Sequence, residues 1–154
     1  MGDLLAMYEA LLSVYGPQGW WPLLGYEGSN PTKTGRLTGY HVGLYDFPRT
    51  PRERVEICVG AILTQNTAWA NVEKALVGLE AAGLLLPESI LEAGDTEISE
   101  AIRPSGYFNV KARKLRELAL FLVAKGERTP TRSELLSLWG IGPETADSIL
   151  LYAY

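Results

Sequence analysis

The chain has 154 residues, the length of one ordinary domain, and 47% of them are hydrophobic, enough to bury a core. Its 14 basic and 18 acidic side chains give a net charge of −4, so any affinity for nucleic acid must come from local clusters of charge. A single cysteine, Cys58, excludes an internal disulfide and a cysteine-ligated metal cluster within these residues, and no apolar stretch reaches the roughly 18 to 20 residues that span a bilayer. We therefore expect a cytoplasmic protein, with Cys58 as a buried thiol.

The chain opens with helical spacing and continues into an irregular segment. An amphipathic helix ending near Gly16 is predicted by the apolar spacing of Leu4, Tyr8, Leu11 and Tyr15. Residues 16–51 are rich in glycine, proline and aromatic residues, which predicts a long irregular segment. The adjacent Trp20 and Trp21 in "GWWP" argue against disorder there, because two exposed indoles are costly in water.

The strongest helix signal follows in "RTPRERVEICVGAIL". Thr50 is the expected N-cap, Pro51 the first helical residue, and Glu53 completes a capping box. Residues 55–63 are apolar nearly all round, which predicts a central buried helix. A second helix is predicted in "AWANVEKALVGLEAAG", ending at Gly83.

Shorter helices are predicted at about residues 88–93 and 96–103, the second ended by Pro104. A longer helix in "NVKARKLRELALFLVAKG" should end at Gly126, and Thr131 with Glu134 forms another capping box. Strand signals are almost absent. We expect an all-α fold, a compact helical bundle, in which residues 1–51 supply an N-terminal helix and aromatic loop to the same domain as a helical core at 52–154.

The segment "LWGIGPETADSILLYAY" predicts two short helices joined by a glycine hairpin, at about residues 131–154. Gly140 and Gly142 would allow positive φ and close approach of another backbone, and Pro143 would open the second helix. The free N–H groups at that helix start form a ready site for an anion. The plain alternative is an αα-hairpin with a glycine turn and no ligand.

Three segments in register, "AILTQNTAWANVEKAL", "IRPSGYFNVKARKL" and "LWGIGPETADSILLYA", resemble the helix-hairpin-helix (HhH-GPD) DNA glycosylases related to endonuclease III. "GWWP" together with "LTQNT" is most similar to the branch of bacterial 3-methyladenine DNA glycosylases. The resemblance implies base-excision repair, in which a damaged base is flipped out of double-stranded DNA and its glycosidic bond is cleaved. It also implies that the protein is a monomer, that it binds DNA in the nucleoid and that it acts on alkylated purines.

The resemblance also assigns roles to individual residues. Gln65 occupies the position that fills the gap left by the flipped base, and Tyr107 occupies that of a second wedge. The plain alternatives are a polar residue at a helix end and a core aromatic. The expected phosphate contacts lie in the hairpin and in a basic stretch between Arg103 and Arg116 that contains no acid, namely Leu138, Gly140, Gly142, Lys111, Arg113 and Lys114.

An electron-poor alkylated base would be held between aromatic faces. Trp20 and Trp21 match the aromatic pair of the base pocket in the suggested branch, and Phe47 is a candidate for an opposing face. Core packing is the alternative for the tryptophans, and each function could fall to one of them.

Two departures from the family pattern bear on chemistry. Glu144 stands where bifunctional members carry the lysine that forms a Schiff base, so β-lyase activity is not expected. The family's catalytic aspartate is expected beyond Tyr154, so we expect a fragment without its C-terminal part and without excision activity. No metal or cofactor is expected within this chain; an iron–sulfur cluster would require a C-terminal cysteine region in the full protein. The alternatives are a non-catalytic helix-hairpin-helix DNA-binding module and a helical domain unrelated to DNA.

Overall fold

A computed structural model describes residues 2–31 and 38–154, and these residues form eight α-helices and a 3-10 turn, with no strand among them. The helices are α1 (Gly2–Tyr15), α2 (Pro51–Leu63), α3 (Trp69–Ala81), α4 (Pro87–Glu92), α5 (Asp95–Ala101), α6 (Phe108–Lys125), α7 (Arg132–Ser137) and α8 (Pro143–Ala153). The all-α prediction is confirmed. Positions 32–37, within the segment predicted to be irregular, lie outside the described residues. No helix in the described part of the chain is both long enough and apolar enough to cross a membrane.

The chain divides into two compact units, Met1–Phe47 and Pro48–Tyr154. In the first unit, α1 ends where the sequence predicts. Its apolar stripe, however, faces solvent: the side chains spaced at helical intervals are between 52% and 72% exposed, namely Leu4, Tyr8, Leu11 and Tyr15. Helical spacing specifies the helix but not a partner for its apolar face. The expected organisation, with residues 1–51 belonging to the same domain as 52–154, stays a prediction.

The second unit is built around α2. Its capping box is present as predicted, with the Thr50 side chain accepting from the Glu53 backbone N–H and the Glu53 carboxylate accepting from the Thr50 backbone. Residues 55–63 are all buried, and α2 packs against α3, α6 and α8. Burial on every side explains why its apolar pattern shows no polar face.

The connection between α5 and α6 differs from the prediction. The helix expected at 96–103 ends at Ala101, and Arg103–Ser105 forms a 3-10 turn because Pro104 cannot continue the hydrogen-bond ladder. Helix α6 then begins after Tyr107 and buries Leu115 and Leu118 among its apolar stripe. This sharp connection places Tyr107 at the start of α6, at the surface.

The last two helices form the predicted hairpin. Thr131 and Glu134 cap α7 reciprocally, and α7 packs against α8. Helix α8 in turn packs on α2, and Arg54 Nε donates to the Ala153 carbonyl oxygen at 3.0 Å. The central helix therefore holds the hairpin in place.

Candidate nucleic-acid interface

The two hairpin glycines have different conformations. Gly140 has φ +82°, in the left-handed region that favours glycine, as predicted. Gly142 has φ −92° and ψ 177°, extended backbone that other residues adopt, so the expectation of positive φ at both glycines is wrong for Gly142. Its place at the N-cap of α8 requires extended backbone. A Cβ built on Gly142 would meet no atom within 4 Å, so the space in front of this helix start is open.

The start of α8 has backbone features that can bind an anion. Gly142 is its N-cap and supplies no side-chain cap, and Pro143 occupies the first turn. The first turn of a helix leaves its N–H groups without intrahelical acceptors, and the helix dipole makes that end positive. A phosphate oxygen in the open space is thus the natural acceptor for these groups.

Gln65, just beyond the end of α2, lies directly against the hairpin. Its Nε2 donates to the Gly140 carbonyl oxygen and to Thr145 Oγ1, each at 3.0 Å, and its Oε1 accepts from Lys114 Nζ. All the hydrogen-bonding atoms of the amide are engaged, so Gln65 has a defined orientation beside the hairpin.

Lys114 fills the space that Gly140 leaves. A Cβ on Gly140 would lie 2.5 to 2.8 Å from the Cε, Cδ and Cγ atoms of Lys114, closer than real contacts allow. The absence of a side chain at Gly140 therefore lets the Lys114 stem cross the hairpin and deliver its ammonium to Gln65. The sequence predicts both residues as DNA contacts, and the structure brings them together.

Two loops beside the hairpin each contain a non-glycine residue in the left-handed region. Asn66, directly after Gln65, has φ +51°, and Tyr107 has φ +47°. This conformation is uncommon for a bulky residue and is enriched where surrounding structure positions a side chain for use. Tyr107 is 72% exposed, so the structure does not place it in the core. A cleft between the loops is lined by Gln65, Asn66, Tyr107, Val110, Lys111 and Lys114.

Lys111 does not lie on the surface, where the sequence predicts a phosphate contact. It is 2% exposed, and its Nζ donates to the carbonyl oxygens of Leu63 and Ser105 and to Thr67 Oγ1, at 2.9, 2.7 and 2.9 Å. Burial, with a smaller contribution from the positive charge of Lys114, lowers the pKa of Lys111 to about 8. The surface expectation is corrected because three backbone and hydroxyl oxygens converge below the loops and draw the ammonium inward.

The remaining basic residues of the stretch divide into two groups. The Arg103 guanidinium bonds Glu100, and that of Arg116 bonds Asp95, so both are paired within the fold. Arg113 is exposed, and its guanidinium carbon lies 4.1 Å from the ring centroid of Trp139, the residue before Gly140. Only part of the basic stretch therefore borders the hairpin.

The other hairpin residues occupy supporting positions. Leu138 is half-buried at the C-cap of α7, and its carbonyl oxygen accepts from the Ile141 N–H at 3.2 Å, closing the turn. Glu144 is exposed in the first turn of α8. Asp147 is paired with Arg132 at 2.6 Å, and this hydrogen-bonded partner lowers the pKa of the Asp147 carboxyl.

The three predicted base-pocket residues lie in the first unit. Trp21 is 4% exposed and packs 5.4 Å, centroid to centroid, from the half-buried Trp20 ring. The His41 ring stacks on Phe47 at 4.5 Å, and its Nε2 lies 3.1 Å from the Trp21 carbonyl oxygen. Trp21 is therefore part of the core of this unit, while Trp20 is only half-buried. Burial therefore favours core packing for Trp21, and base stacking by Trp20 stays a prediction.

Several residues of the interface escape local sequence patterns. Thr145 Oγ1 accepts a hydrogen bond from Gln65, and the Ser105 carbonyl oxygen accepts one from Lys111. The Trp139 ring makes a cation–π contact with Arg113. Thr145 is separated from Gln65 by 80 residues and Trp139 from Arg113 by 26, so neither contact follows from local sequence. Trp139, an unusual residue directly before Gly140, is the one local sequence signal that could have marked its own position as part of the site.

The residues here do not fit an iron–sulfur cluster. Such clusters are held by about four cysteine thiolates. Cys58 is the one cysteine of the sequence and lies fully buried in α2, where burial raises its pKa to about 12 and keeps it a thiol. Across residues 2–31 and 38–154, no cluster of three or more His, Cys, Asp or Glu side chains is arranged to hold a metal ion.

The chain is similar to known proteins of base-excision DNA repair. Residues 59–145 match the HhH-GPD superfamily of base excision DNA repair proteins. A Methanocaldococcus jannaschii protein assigned as a DNA repair glycosylase, MJ1434, is 38% identical over 96% of this chain and 59% of its own length. The crystal structure of H. pylori 3-methyladenine DNA glycosylase (MagIII) bound to 1,N6-ethenoadenine superimposes with a TM-score of 0.68 and 26% identity. It covers 98% of this chain and 63% of that one.

A structure of endonuclease III trapped in a covalent intermediate with DNA superimposes with a TM-score of 0.58 and 25% identity, over 65% of this chain and 47% of that one. The all-α fold with its helix-hairpin-helix defines the class, and the match over more than half the chain defines the family. The chain belongs to the HhH-GPD superfamily of base excision repair DNA glycosylases. It spans 59% of the length of its M. jannaschii relative.

Proposed function

We propose that this chain binds double-stranded DNA containing a damaged base and belongs to a monofunctional glycosylase that removes alkylated purines. The observation that carries the proposal is the meeting of three features in one unit. The open start of α8 suits a phosphate, Gln65 bonds the hairpin carbonyl of Gly140 at 3.0 Å, and the exposed Tyr107 borders the same cleft as Gln65. A protein that binds one phosphate and also fills the position of a flipped base needs its phosphate site and its inserting side chains close together.

In this proposal the side chains act in sequence. The hairpin N–H groups bind the backbone of the duplex, and Arg113 beside Trp139 adds a second positive contact. Gln65 leaves its hydrogen bonds with Gly140 and Thr145 to enter the gap in the base stack. Tyr107 enters from the neighbouring loop towards the opposite strand. Contacts with these inserted side chains replace the base stacking that the distorted duplex loses.

Two observations support monofunctional chemistry and an alkylated purine as the substrate. Glu144 occupies the position of the family's Schiff-base lysine, and a carboxylate cannot form that adduct, which favours monofunctional chemistry. The likeness to MagIII and the half-buried, aromatic Trp20 support an alkylated purine as substrate. The acids nearest the hairpin, Glu144 and Asp147, lie on the anion-binding helix, and Asp147 is paired with Arg132. We therefore propose that these 154 residues hold DNA without releasing a base.

Fluorescence anisotropy with a labelled duplex tests DNA binding. We expect the affinity to fall steeply as salt rises, with a slope of about −0.9 for each phosphate neutralised. Binding that is absent, or that does not depend on salt, would overturn the proposal and favour a helical domain with another ligand.

Incubation of the chain with duplex containing 3-methyladenine tests the chemistry. We expect no free base above background and no covalent adduct after borohydride treatment of an abasic duplex. Release of 3-methyladenine would contradict the proposed absence of excision, and a trapped adduct would contradict the monofunctional assignment. DNA binding without preference for a damaged or abasic duplex would favour a non-catalytic module.

A further inference from the structure

We propose that Lys111 is a positioning residue that ties together the two DNA-facing loops, so that Gln65 and Tyr107 are held ready to enter a distorted duplex. This inference rests on the proposed function, and it assigns a role to a side chain that lies beneath the interface. The loops are defined as residues 64–67, which follow α2, and residues 105–107, which precede α6.

The hydrogen bonds of the Lys111 ammonium carry the inference. One N–H reaches Thr67 Oγ1 in the first loop and one reaches the Ser105 carbonyl oxygen in the second. The third reaches the carbonyl oxygen of Leu63, at the end of α2. The three donors of an ammonium are thus matched by three acceptors, two at the ends of the segment that follows α2 and one in the loop before α6. Thr67 Oγ1 also donates to the Ser105 carbonyl oxygen, so the two loops are bonded to each other at the same point.

The position of this network within the loops explains its consequence. Gln65 and Asn66 lie between Leu63 and Thr67, so the bonds of Lys111 hold both ends of the segment that carries the gap-filling side chain. Tyr107 follows Ser105 by two residues. The left-handed conformations of Asn66 and Tyr107 cost free energy and persist only where neighbouring contacts enforce them. Lys111 supplies those contacts from below, without reaching the surface.

The charge of Lys111 matters because of its surroundings. The groups facing its ammonium from α2, from the first loop and from the 3-10 turn are carbonyl and hydroxyl oxygens, and the charged group that acts on it is Lys114 of α6. Burial and Lys114 together lower the pKa of Lys111 to about 8. A neutral amine has two N–H donors for the three acceptors, so deprotonation weakens the tie between the loops.

The chain offers a matched control in Lys125. It lies on the same helix, is 8% exposed, and bonds the carbonyl oxygens of Gly126 and Arg128. Methionine has a similar length and no charge, so Lys111→Met and Lys125→Met both remove a buried ammonium. Of the two variants, only Lys111→Met removes an ammonium that lies beneath the DNA-facing loops.

The test compares affinities for a duplex with a tetrahydrofuran abasic site and for an intact duplex. We expect the ratio of the two affinities to fall about tenfold in Lys111→Met, as for loss of a hydrogen bond to a charged group, and to stay at the wild-type value in Lys125→Met. In the wild type the ratio should decrease as the pH rises through about 8, whereas in Lys111→Met it should be low and independent of pH. A Lys111→Met variant that keeps the wild-type ratio and pH profile would overturn the inference.

Hydrogen exchange without DNA separates this inference from the proposed function. Amides of residues 64–67 and 105–107 should exchange faster in Lys111→Met than in Lys125→Met. If the wild type does not bind DNA, the proposed function fails while this measurement still tests the tie. If the wild type prefers the abasic duplex and the loop amides are equally protected in both variants, the proposed function survives and the inference fails. If Lys111→Met does not fold, the wild-type pH profile decides: a constant ratio across pH 8 would reject the role of the ammonium.

Discussion

Alanine at Gly140 should mainly destabilise the fold, whereas alanine at Gly142 should mainly weaken DNA binding, although the sequence presents the two glycines as a pair. Gly140 has φ +82°, where an L-residue costs roughly 1 to 2 kcal/mol. Its new Cβ would also lie 2.5 to 2.8 Å from three carbon atoms of Lys114, forcing that side chain away from Gln65. We expect Gly140→Ala to lower the melting temperature by roughly 2 to 8 °C in a chain of this size.

Gly142→Ala should leave the fold nearly unchanged. Its φ of −92° suits alanine, its Cβ would meet nothing within 4 Å, and the smaller unfolded-state entropy of alanine offsets its poorer N-cap propensity. The same methyl group would stand in the open space before α8 where the phosphate is proposed to bind. We expect DNA affinity to fall by about tenfold or more, as for the loss of a hydrogen bond to a charged group.

The assay pairs thermal unfolding by circular dichroism with anisotropy titrations of the same variants at two salt concentrations. The expected pattern is a lowered melting temperature for Gly140→Ala, and wild-type stability with weakened binding for Gly142→Ala. Equal losses of stability would refute the distinction between the two conformations. Wild-type DNA affinity in Gly142→Ala would refute the phosphate site at the start of α8.

Three further outcomes test other parts of the structure. Hydrogen bonds from Arg128 and from the α7 cap lower the pKa of the Glu134 carboxyl from its ordinary value of 4.5 to about 2. The contribution of Glu134 to stability should therefore be complete above about pH 4.5 and be lost as the pH falls towards 2. Glu134→Gln should remove this pH dependence from acid-unfolding curves. Cys58 should resist a thiol reagent at pH 8 until the protein unfolds, because it is fully buried and its pKa is raised to about 12; rapid labelling of the folded protein would contradict this burial. Arg113→Gln should reduce the salt dependence of duplex binding by about one ion, whereas Arg116→Gln, at a side chain paired within the fold, should not; equal slopes in both variants would argue against an Arg113 phosphate contact.

Local sequence determined where the helices lie and several of their ends, although not the end of α5 at Ala101. The capping boxes at Thr50 and Thr131 require only residues three positions apart, and Pro143 and Gly126 act on the backbone beside them. The family resemblance likewise rests on short segments in fixed order, which is why the fold class and the superfamily could both be predicted. These features depend on neighbours in the chain and are legible without tertiary contacts.

Only the tertiary structure decided what the individual side chains do. Lys111 and Lys114 are residues of the same type, three positions apart on one helix, yet one is buried beneath the loops and the other crosses Gly140 to Gln65. Apolar spacing predicts α1 as a helix, but the side chains of its apolar stripe are exposed. Burial and hydrogen-bond partners come from segments distant in sequence, so they set a side chain's charge, orientation and access to a ligand in ways that residue type and spacing do not specify.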